Sequence, residues 1–285
     1  MEIRTLEATS LKEITSAFNE AFADYVIKFG FTEEGMATKI KSENIVLQYS
    51  VGAFEDDRLV AFILHGYDVL DNVKTIYNAG TGVIPSFRGK AIVAALYKFI
   101  IPQLAGAGIF SHVLEVIEGN VKAYKIYEKI GFTIVRNLVV FKGTVNAAPA
   151  FTIIIKPIDQ EQWHAAQAFM DFTPAWQNNS ASIQRGFEGH QLIGAFVDNK
   201  LTAYAAYFPT TGRVRQFAVD KSYRRQGIGK ALFSYMTETS KDHQLTVTGI
   251  DDADEASMEF MKALRLEWTI RLFEMKLLVR ESLTD

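Results

Sequence analysis

The chain has 285 residues, of which 48% are hydrophobic and 22% charged, with a formal net charge of −3. That balance suits a globular protein long enough for two domains, each with its own core, and the mild acidity argues against a general affinity for nucleic acid or for an anionic membrane. The absence of cysteine excludes disulfides, thiolate metal sites and a cysteine nucleophile and fits a cytoplasmic protein; the opening Met1-Glu2-Ile3-Arg4 is no secretory leader, and no apolar run approaches membrane-spanning length.

Residues 2–6 read as a strand. Residues 10–25 read as a helix, with Ser10 as its cap and Glu13 three positions on. Phe18, Phe22, Tyr25 and Phe29 recur at helical spacing, as a core stripe would. Residues 32–42 form a second helix. Residues 50–54 and 59–67 pair as a hairpin about the polar turn Asp56-Asp57-Arg58. The strand at 75–83 carries Gly80 and Gly82, and strand glycines mark a bulge or a close backbone approach. A loop at 86–90 leads to a helix at 91–106. A buried strand at 112–117 then carries one charge, Glu115, and a helix at 120–130 ends at Gly131. Residues 133–142 close this first region.

After the small-residue linker 144–150 the order repeats. Residues 151–156 read as a strand, 159–172 as a helix, and 173–189 as a less regular stretch with room for a second helix. Residues 192–197 and 201–208 form a hairpin, and 214–219 a strand. A loop leads to a helix ending near Ser240, then come a strand at 245–250, a helix at 255–264 and a closing strand at 267–279. The division expected is 1–143, linker 144–150, and 151–285.

The loop Tyr223-Arg224-Arg225-Gln226-Gly227-Ile228-Gly229-Lys230 joins a strand to a helix and puts two glycines in the first helical turn. Each costs about 1 kcal/mol relative to alanine there, so their presence asks for a reason. The N–H groups of a first turn have no partner within the helix and favour an anion such as phosphate. The loop is neither a Walker loop nor a dinucleotide fingerprint. The neighbourhood of Arg224 recurs 136 residues earlier around Arg88, as Val83-Ile84-Pro85-Ser86-Phe87-Arg88-Gly89-Lys90-Ala91-Ile92-Val93. Asn120, Ala123, Tyr127 and Gly131-Phe132 follow that first copy.

Together these residues resemble the GCN5-related N-acetyltransferase (GNAT) family, whose phosphate loop is Arg/Gln-x-x-Gly-x-Gly/Ala. The resemblance covers nearly all of the chain as two tandem copies. It implies an α/β (α+β) architecture of two GNAT-fold domains, each a mixed, mostly antiparallel sheet flanked by helices. It implies acetyl transfer from acetyl-CoA to a primary amine of a small molecule or peptide, with no metal and no nucleic acid. The coenzyme would contact Val83, Arg88, Gly89, Lys90, Ala91 and Asn120 in one copy. In the other it would contact Val219, Arg224, Arg225, Gln226, Gly227, Ile228, Gly229 and Lys230. The strand at 75–83 would splay from its neighbour to take the acyl-CoA arm. Tyr25, Phe29 and Phe31 could wall an acceptor pocket, since in this fold the first two helices flank it.

In the family a tyrosine at the position of Tyr127 commonly protonates the leaving thiolate. Asn120 would hold the coenzyme arm or cap its helix. Glu115 is the leading candidate general base, because partial burial raises the pKa of a carboxylate, and Glu118 and His112 are further candidates. The second copy departs here. It has Asp254 at the place of Asn120, Met261 at that of Tyr127 and Arg265-Leu266 at that of Gly131-Phe132. A thioether donates no proton. The first copy has Ala91 and Val93 where the second has Gly227 and Gly229. One reading makes the first copy catalytic and the second coenzyme-binding or structural; the other has the second copy work without a tyrosine. A non-catalytic acyl-CoA sensor and an aminoacyl transferase of similar tandem fold are rival functions. The histidines show no ligand spacing. The acidic run at 251–255 reads as helix capping, and Trp163, Trp176 and Trp268 as packing.

Overall fold

A computed structural model describes residues 1–24, 30–146 and 153–279. Tyr25 and Phe29, most of the linker and the start of the strand expected at 151 lie outside the described residues. The chain packs as two compact units. Unit 1 is Met1–Val135 together with the stretch from Phe273 onward, and unit 2 is Arg136–Leu272.

Unit 1 contains β1 (Glu2–Thr5), α1 (Leu11–Ala21), α2 (Glu33–Ser42), β2 (Val51–Glu55), β3 (Arg58–Leu70), β4 (Val73–Val83), α3 (Ile92–Gly106), β5 (Ser111–Ile117) and α4 (Val121–Ile130). The strands β1 to β4 lie side by side and antiparallel, and β5 runs parallel to β4. Local sequence explains much of this. The Ser10 hydroxyl accepts the Glu13 N–H at the start of α1, and Gly131, at φ 109°, ends α4. The hairpin of β3 and β4 is longer than its apolar runs suggest. Asp71 and Asn72 take left-handed conformations, φ 50° and 65°, and close a two-residue turn. One face of the sheet packs Leu96, Tyr97, Ile100 and Leu104 of α3 against Val51, Ala61, Ile63 and Ile76. On the other face, Gly80 and Gly82 lie under α1. A Cβ on Gly82 would meet Phe62 and Ala21, and one on Gly80 would meet Phe18. These strand glycines therefore make room for aromatic packing, in which Phe18 stacks on Phe62 at 5.7 Å.

The next strand, β6 (Thr133–Gly143), starts in unit 1 and continues into unit 2. Unit 2 goes on with β7 (Ile154–Pro157), α5 (Gln160–Ala166), α6 (Ser180–Arg185), β8 (Gln191–Val197), β9 (Lys200–Phe208), β10 (Arg213–Val219), α7 (Ile228–Thr239), β11 (Leu245–Asp251), α8 (Glu255–Ala263) and β12 (Glu267–Leu278). Its strand order is β6-β11-β10-β9-β8-β7, with β10 and β11 parallel and the others antiparallel. The helix expected at 159–172 is shorter. A capping box at Asp159 starts α5, and a 3₁₀ turn at Gln167–Phe169 comes after it. Each unit is thus a mixed, mostly antiparallel sheet flanked by helices.

The boundaries between units fall inside β6 and β12. Residues 138–143 of β6 pair with β11, so the strand that ends the first repeat belongs to the second unit's sheet. Residues 273–278 of β12 supply a further strand to unit 1. There Phe273, Met275 and Leu277 join the α3 core, and Val279 N–H bonds to Phe110 O at 2.8 Å. The expected boundaries at 143 and 151 track the repeat along the chain instead. Trp163 and Trp176 are buried, whereas Trp268 is 46% exposed with the Arg271 guanidinium 4.7 Å above its ring. Among the described residues, no helix is long and apolar enough to cross a membrane.

Two histidines lie in the core of unit 1. His65 Nδ1 sits 2.7 Å from Tyr49 O, and its ring is 6.2 Å from that of Tyr97. His112 is equally buried. Burial pulls His65 down from 6.5 to about 3 and His112 to about 4, so both are neutral in the folded chain. The unfolded chain binds these protons near the ordinary value. The stability the pair contributes is therefore whole above pH 6.5 and is lost as pH falls toward 4. Urea midpoints should fall between about pH 7.5 and about pH 5, and His112→Leu should flatten that decline. A wild-type midpoint that does not change over this range would contradict two buried neutral imidazoles.

Candidate functional site

In unit 1, β4 and β5 pair from Thr75↔Ser111 to Asn78↔Leu114 and then part. The split begins where β4 bulges. The register against β3 slips between His65↔Asn78 and Leu64↔Gly80, which leaves Ala79 as the extra residue. Asn78 stabilises the bulge. Its amide donates to Thr81 Oγ1 at 2.7 Å and to Tyr97 Oη at 2.9 Å, and its Oδ1 accepts the Gly80 N–H. Unit 2 repeats the device. There β10 and β11 pair at Arg213↔Thr246 and Val214↔Val247 and then part, with Arg215 as the extra residue.

Each parted strand feeds a short 3₁₀ turn, a loop and a helix. The loops trace the same path. Gly89 and Ala91 are left-handed in unit 1, at φ 79° and 54°, and Arg225 and Gly227 are left-handed in unit 2, at 64° and 83°. In α3 the first ladder bond is Ala95 N–H to Ala91 O, and in α7 it is Ala231 N–H to Gly227 O. The N–H groups of residues 92–94 and 228–230 therefore precede the helical ladder and face the positive end of the dipole. The left-handed turn costs Ala91 about 1–2 kcal/mol, which its surroundings must offset.

The surroundings are the same in both units. Arg88 Nε donates to Val83 O at 3.1 Å, its two terminal nitrogens bond the two oxygens of Asp24 at 2.6 and 2.8 Å, and one of them also reaches Ala21 O at 2.9 Å. Arg224 Nε donates to Val219 O at 3.0 Å, its terminal nitrogens bond both oxygens of Asp171 at 2.9 and 3.2 Å, and one reaches Phe169 O at 3.3 Å. The Arg88 hydrogen bond pulls Asp24 below the usual carboxylate range, and Arg224 does the same to Asp171. The two guanidiniums expected to face a phosphate are thus clamped onto the protein. No pattern in the chain points to the partners: Asp24 lies 64 residues before Arg88 and Asp171 lies 53 before Arg224, so the aspartates break the repeat's offset.

The other expected residues are spread around this loop and the split. Lys90 and Lys230 are exposed, Lys90 with its ammonium 4.8 Å from the centre of the Phe87 ring. Arg225 is exposed and 3.8 Å from Glu259, and Gln226 bonds back to Ser222 O. Asn120 caps α4 through the Ala123 N–H. Tyr127 lies in the core of unit 1, with its ring 6.2 Å from Tyr97 and 5.9 Å from Phe132. Burial, and then Tyr127 beside it, raise Tyr97 well above the usual phenol range. Glu115 is half-buried on β5 just beyond the split, on the face opposite Leu114 and Val116. His112 lies before the split and Glu118 is exposed after β5. Among the described residues, no group of three or more His, Asp or Glu side chains is placed to hold a metal ion.

The sequence profile described as the acetyltransferase (GNAT) family matches residues 11–132 and again 157–264. The chain belongs to the GNAT family. Solved structures of the same fold include a tandem GNAT protein from the clavulanic acid biosynthesis pathway, at 14% identity and TM-score 0.74 over 96% of this chain and 97% of that one. A GCN5-related N-acetyltransferase from Sphaerobacter thermophilus has 13% identity and TM-score 0.69 over 98% and 96%. Saccharomyces cerevisiae N-myristoyltransferase with bound myristoyl-CoA has 12% identity and TM-score 0.66 over 98% and 79%. No curated protein is significantly similar in sequence. The GNAT assignment makes this an acyltransferase-family chain of two GNAT units that uses the acyl-CoA class of donor.

The two GNAT units differ at the bulge beside the split. Matching the bulges puts Arg215 and Gln216 where unit 1 has Ala79 and Gly80. Arg215 donates to Asn178 Oδ1 at 3.1 Å and to Ser182 Oγ at 3.1 Å. Gln216 Oε1 accepts from Trp163, Gln167 and Tyr204, and its amide donates to Asn178 O and Ser180 Oγ. Asn178 in turn reaches into the split, with its amide 2.6 Å from Thr248 O on β11. Thr248 occupies the place of Glu115 when the two parallel pairs are matched. Gly249 is small because Ala175 and Asn178 press on it, at 2.8 and 3.0 Å from where a Cβ would stand. Asn178 thereby bridges unit 2's split, and a small cavity lined by Phe172, Val214, Phe217, Val247 and Ile250 remains beside it. Nothing in the sequence marks Asn178, which sits in a 3₁₀ turn of the stretch with the weakest periodicity.

The loop glycines of unit 2 have separate causes. Gly227 is open to space and left-handed, so its freedom is conformational. A Cβ on Gly229 would stand 2.8 Å from the Phe260 ring of α8. The repeat partner Val93 is buried in the α3 core instead. Gly229→Val should therefore destabilise the protein by about 1–3 kcal/mol through overpacking, and Phe260→Ala in the same chain should recover part of it. Denaturant unfolding of the single and double variants measures this coupling, and strictly additive losses would remove Phe260 as the reason for the glycine.

Proposed function

We propose that unit 1, which holds most of the repeat expected at 1–143 and not the one expected at 151–285, transfers an acetyl group from acetyl-CoA to a primary amine. The observation that carries this reading is the contrast at the bulge. Unit 1 has Ala79 and Gly80 and a half-buried carboxylate at Glu115, where unit 2 has Arg215, Gln216 and Asn178 locked together. The left-handed loop of Gly89 and Ala91 turns the amides of Lys90, Ala91 and the first turn of α3 toward the coenzyme diphosphate, and Val83 and Asn120 flank the arm. In unit 2 the amides of residues 225–230 keep a coenzyme-type loop, and that unit carries out no transfer.

Glu115 takes a proton from the acceptor ammonium. The free amine attacks the thioester carbonyl, the carbon–sulfur bond breaks, and Tyr127 gives its proton to the thiolate. As the carbon–sulfur bond breaks the nitrogen loses its second proton to solvent, the proton held by Glu115 returns through solvent to the tyrosinate, and amide and free coenzyme A result. A hydroxyl at Tyr127 on α4, where the second repeat has the thioether of Met261, supports it as the proton donor. The bound myristoyl-CoA of the similar yeast enzyme supports an acyl-CoA donor for this fold.

Thiol release from acetyl-CoA over a panel of primary amines tests the activity. A non-catalytic acyl-CoA sensor would bind the coenzyme and release none. Tyr127→Phe should lower kcat by about a hundred-fold, with the acetyl-CoA dissociation constant within about two-fold of wild type. Equal turnover by the variant and the wild type rejects the assignment of the acid.

A further inference from the structure

The duplicated arginine clamp has no part in the transfer chemistry. Arg88 stands in a coenzyme-type loop, yet its guanidinium bonds Asp24, Ala21 O and Val83 O. Those three anchors belong to different parts of unit 1. Val83 ends β4, Ala21 ends α1, and Asp24 lies just past α1 on the way to α2. The other end of that connection is fixed from α1 as well: Asn19 donates to Phe31 O at 2.9 Å and accepts the Phe31 N–H at 2.8 Å. Unit 2 keeps the same three kinds of anchor on Arg224, although the intervening sequence differs in length and composition.

We infer that Asp24 and Arg88 are positioning residues that hold the coenzyme loop against the end of α1, so that donor and acceptor binding share a single clamp. The inference rests on the reading that acetyl-CoA binds this loop of unit 1. The physical argument is one of geometry. A lysine ammonium in place of the guanidinium would keep the charge, but a compact point donor cannot bond a carboxylate bidentately and two carbonyls in different directions. A phosphate-binding arginine would have little reason to be held by a carboxylate, since Asp24 adds negative charge beside the anion. A loop that carries a left-handed alanine does have reason to be held, because Ala91 at φ 54° keeps its path only if its neighbours fix it.

The two roles predict opposite signs. Asp24→Asn removes a negative charge next to the loop and frees Arg88. If Arg88 were a phosphate ligand restrained by Asp24, acetyl-CoA would bind more tightly. With the clamp as a positioning device, binding should weaken by about five-fold, and KM for the acceptor should rise alongside it. Arg88→Lys should reproduce both losses despite keeping its charge.

The measurements are titration calorimetry with acetyl-CoA and steady-state kinetics of the full chain with an amine that turns over. Far-UV circular dichroism and the thermal midpoint confirm that each variant is folded. Weaker coenzyme binding and raised acceptor KM in both variants support the clamp. Tighter or unchanged coenzyme binding by Asp24→Asn overturns it, and so does a rise in coenzyme KM alone. Absence of acetyl-CoA binding by the wild type instead overturns the functional reading beneath it, so the two failures are distinguishable.

Discussion

A buried strand that leaves its neighbour loses a ladder of hydrogen bonds, and backbone groups away from water need other partners. Both units accept that cost at the same place, where a parallel pair opens behind a one-residue bulge. The character of each unit then depends on how it fills the gap. In unit 2, Asn178 donates to the β11 carbonyl of Thr248, and Arg215 and Gln216 surround Asn178 with satisfied polar contacts. A buried polar network of that kind is stable because its members are paired. In unit 1 the corresponding strand positions hold a methyl group and a hydrogen atom, and a carboxylate stands across the opening.

The strand–loop–helix passages are legible in the sequence because they combine three local signals: an apolar strand, a break at a basic turn, and an amphipathic helix. Their repetition at constant offset makes the tandem fold readable from the neighbourhoods of Arg88 and Arg224. Helix ends come from short-range chemistry at Ser10, Asn120 and Gly131. The long hairpin outruns its apolar stretch because its length is set by Asp71-Asn72, a polar pair suited to two left-handed residues, and hydrophobicity alone does not register such a turn.

The features that stay hidden depend on long-range contact. Gly80, Gly82 and Gly229 look alike as places where something approaches the backbone, but Phe18, Phe62 and Phe260 occupy that space. The basic character of Arg88 and Arg224 suggests a ligand, and only the fold reveals the aspartates that hold them. Asn178 carries no pattern at all, because one amide reaching across a split needs no periodicity. The site is therefore less readable than the fold: its polar groups meet through pairings whose separations differ between the repeats.

The crossing of the repeats by β6 and β12 has a consequence for how the molecule is made. Unit 1 takes a further strand from residues near 275, after all of unit 2 has been synthesised. Domains emerging from the ribosome ordinarily fold in turn. Here the first unit must wait with an open sheet edge until that segment arrives, a state that invites chaperone attention or pairing with a stranger's strand. Deleting residues 273–279, which follow the second repeat in sequence, would remove a rib from the first unit.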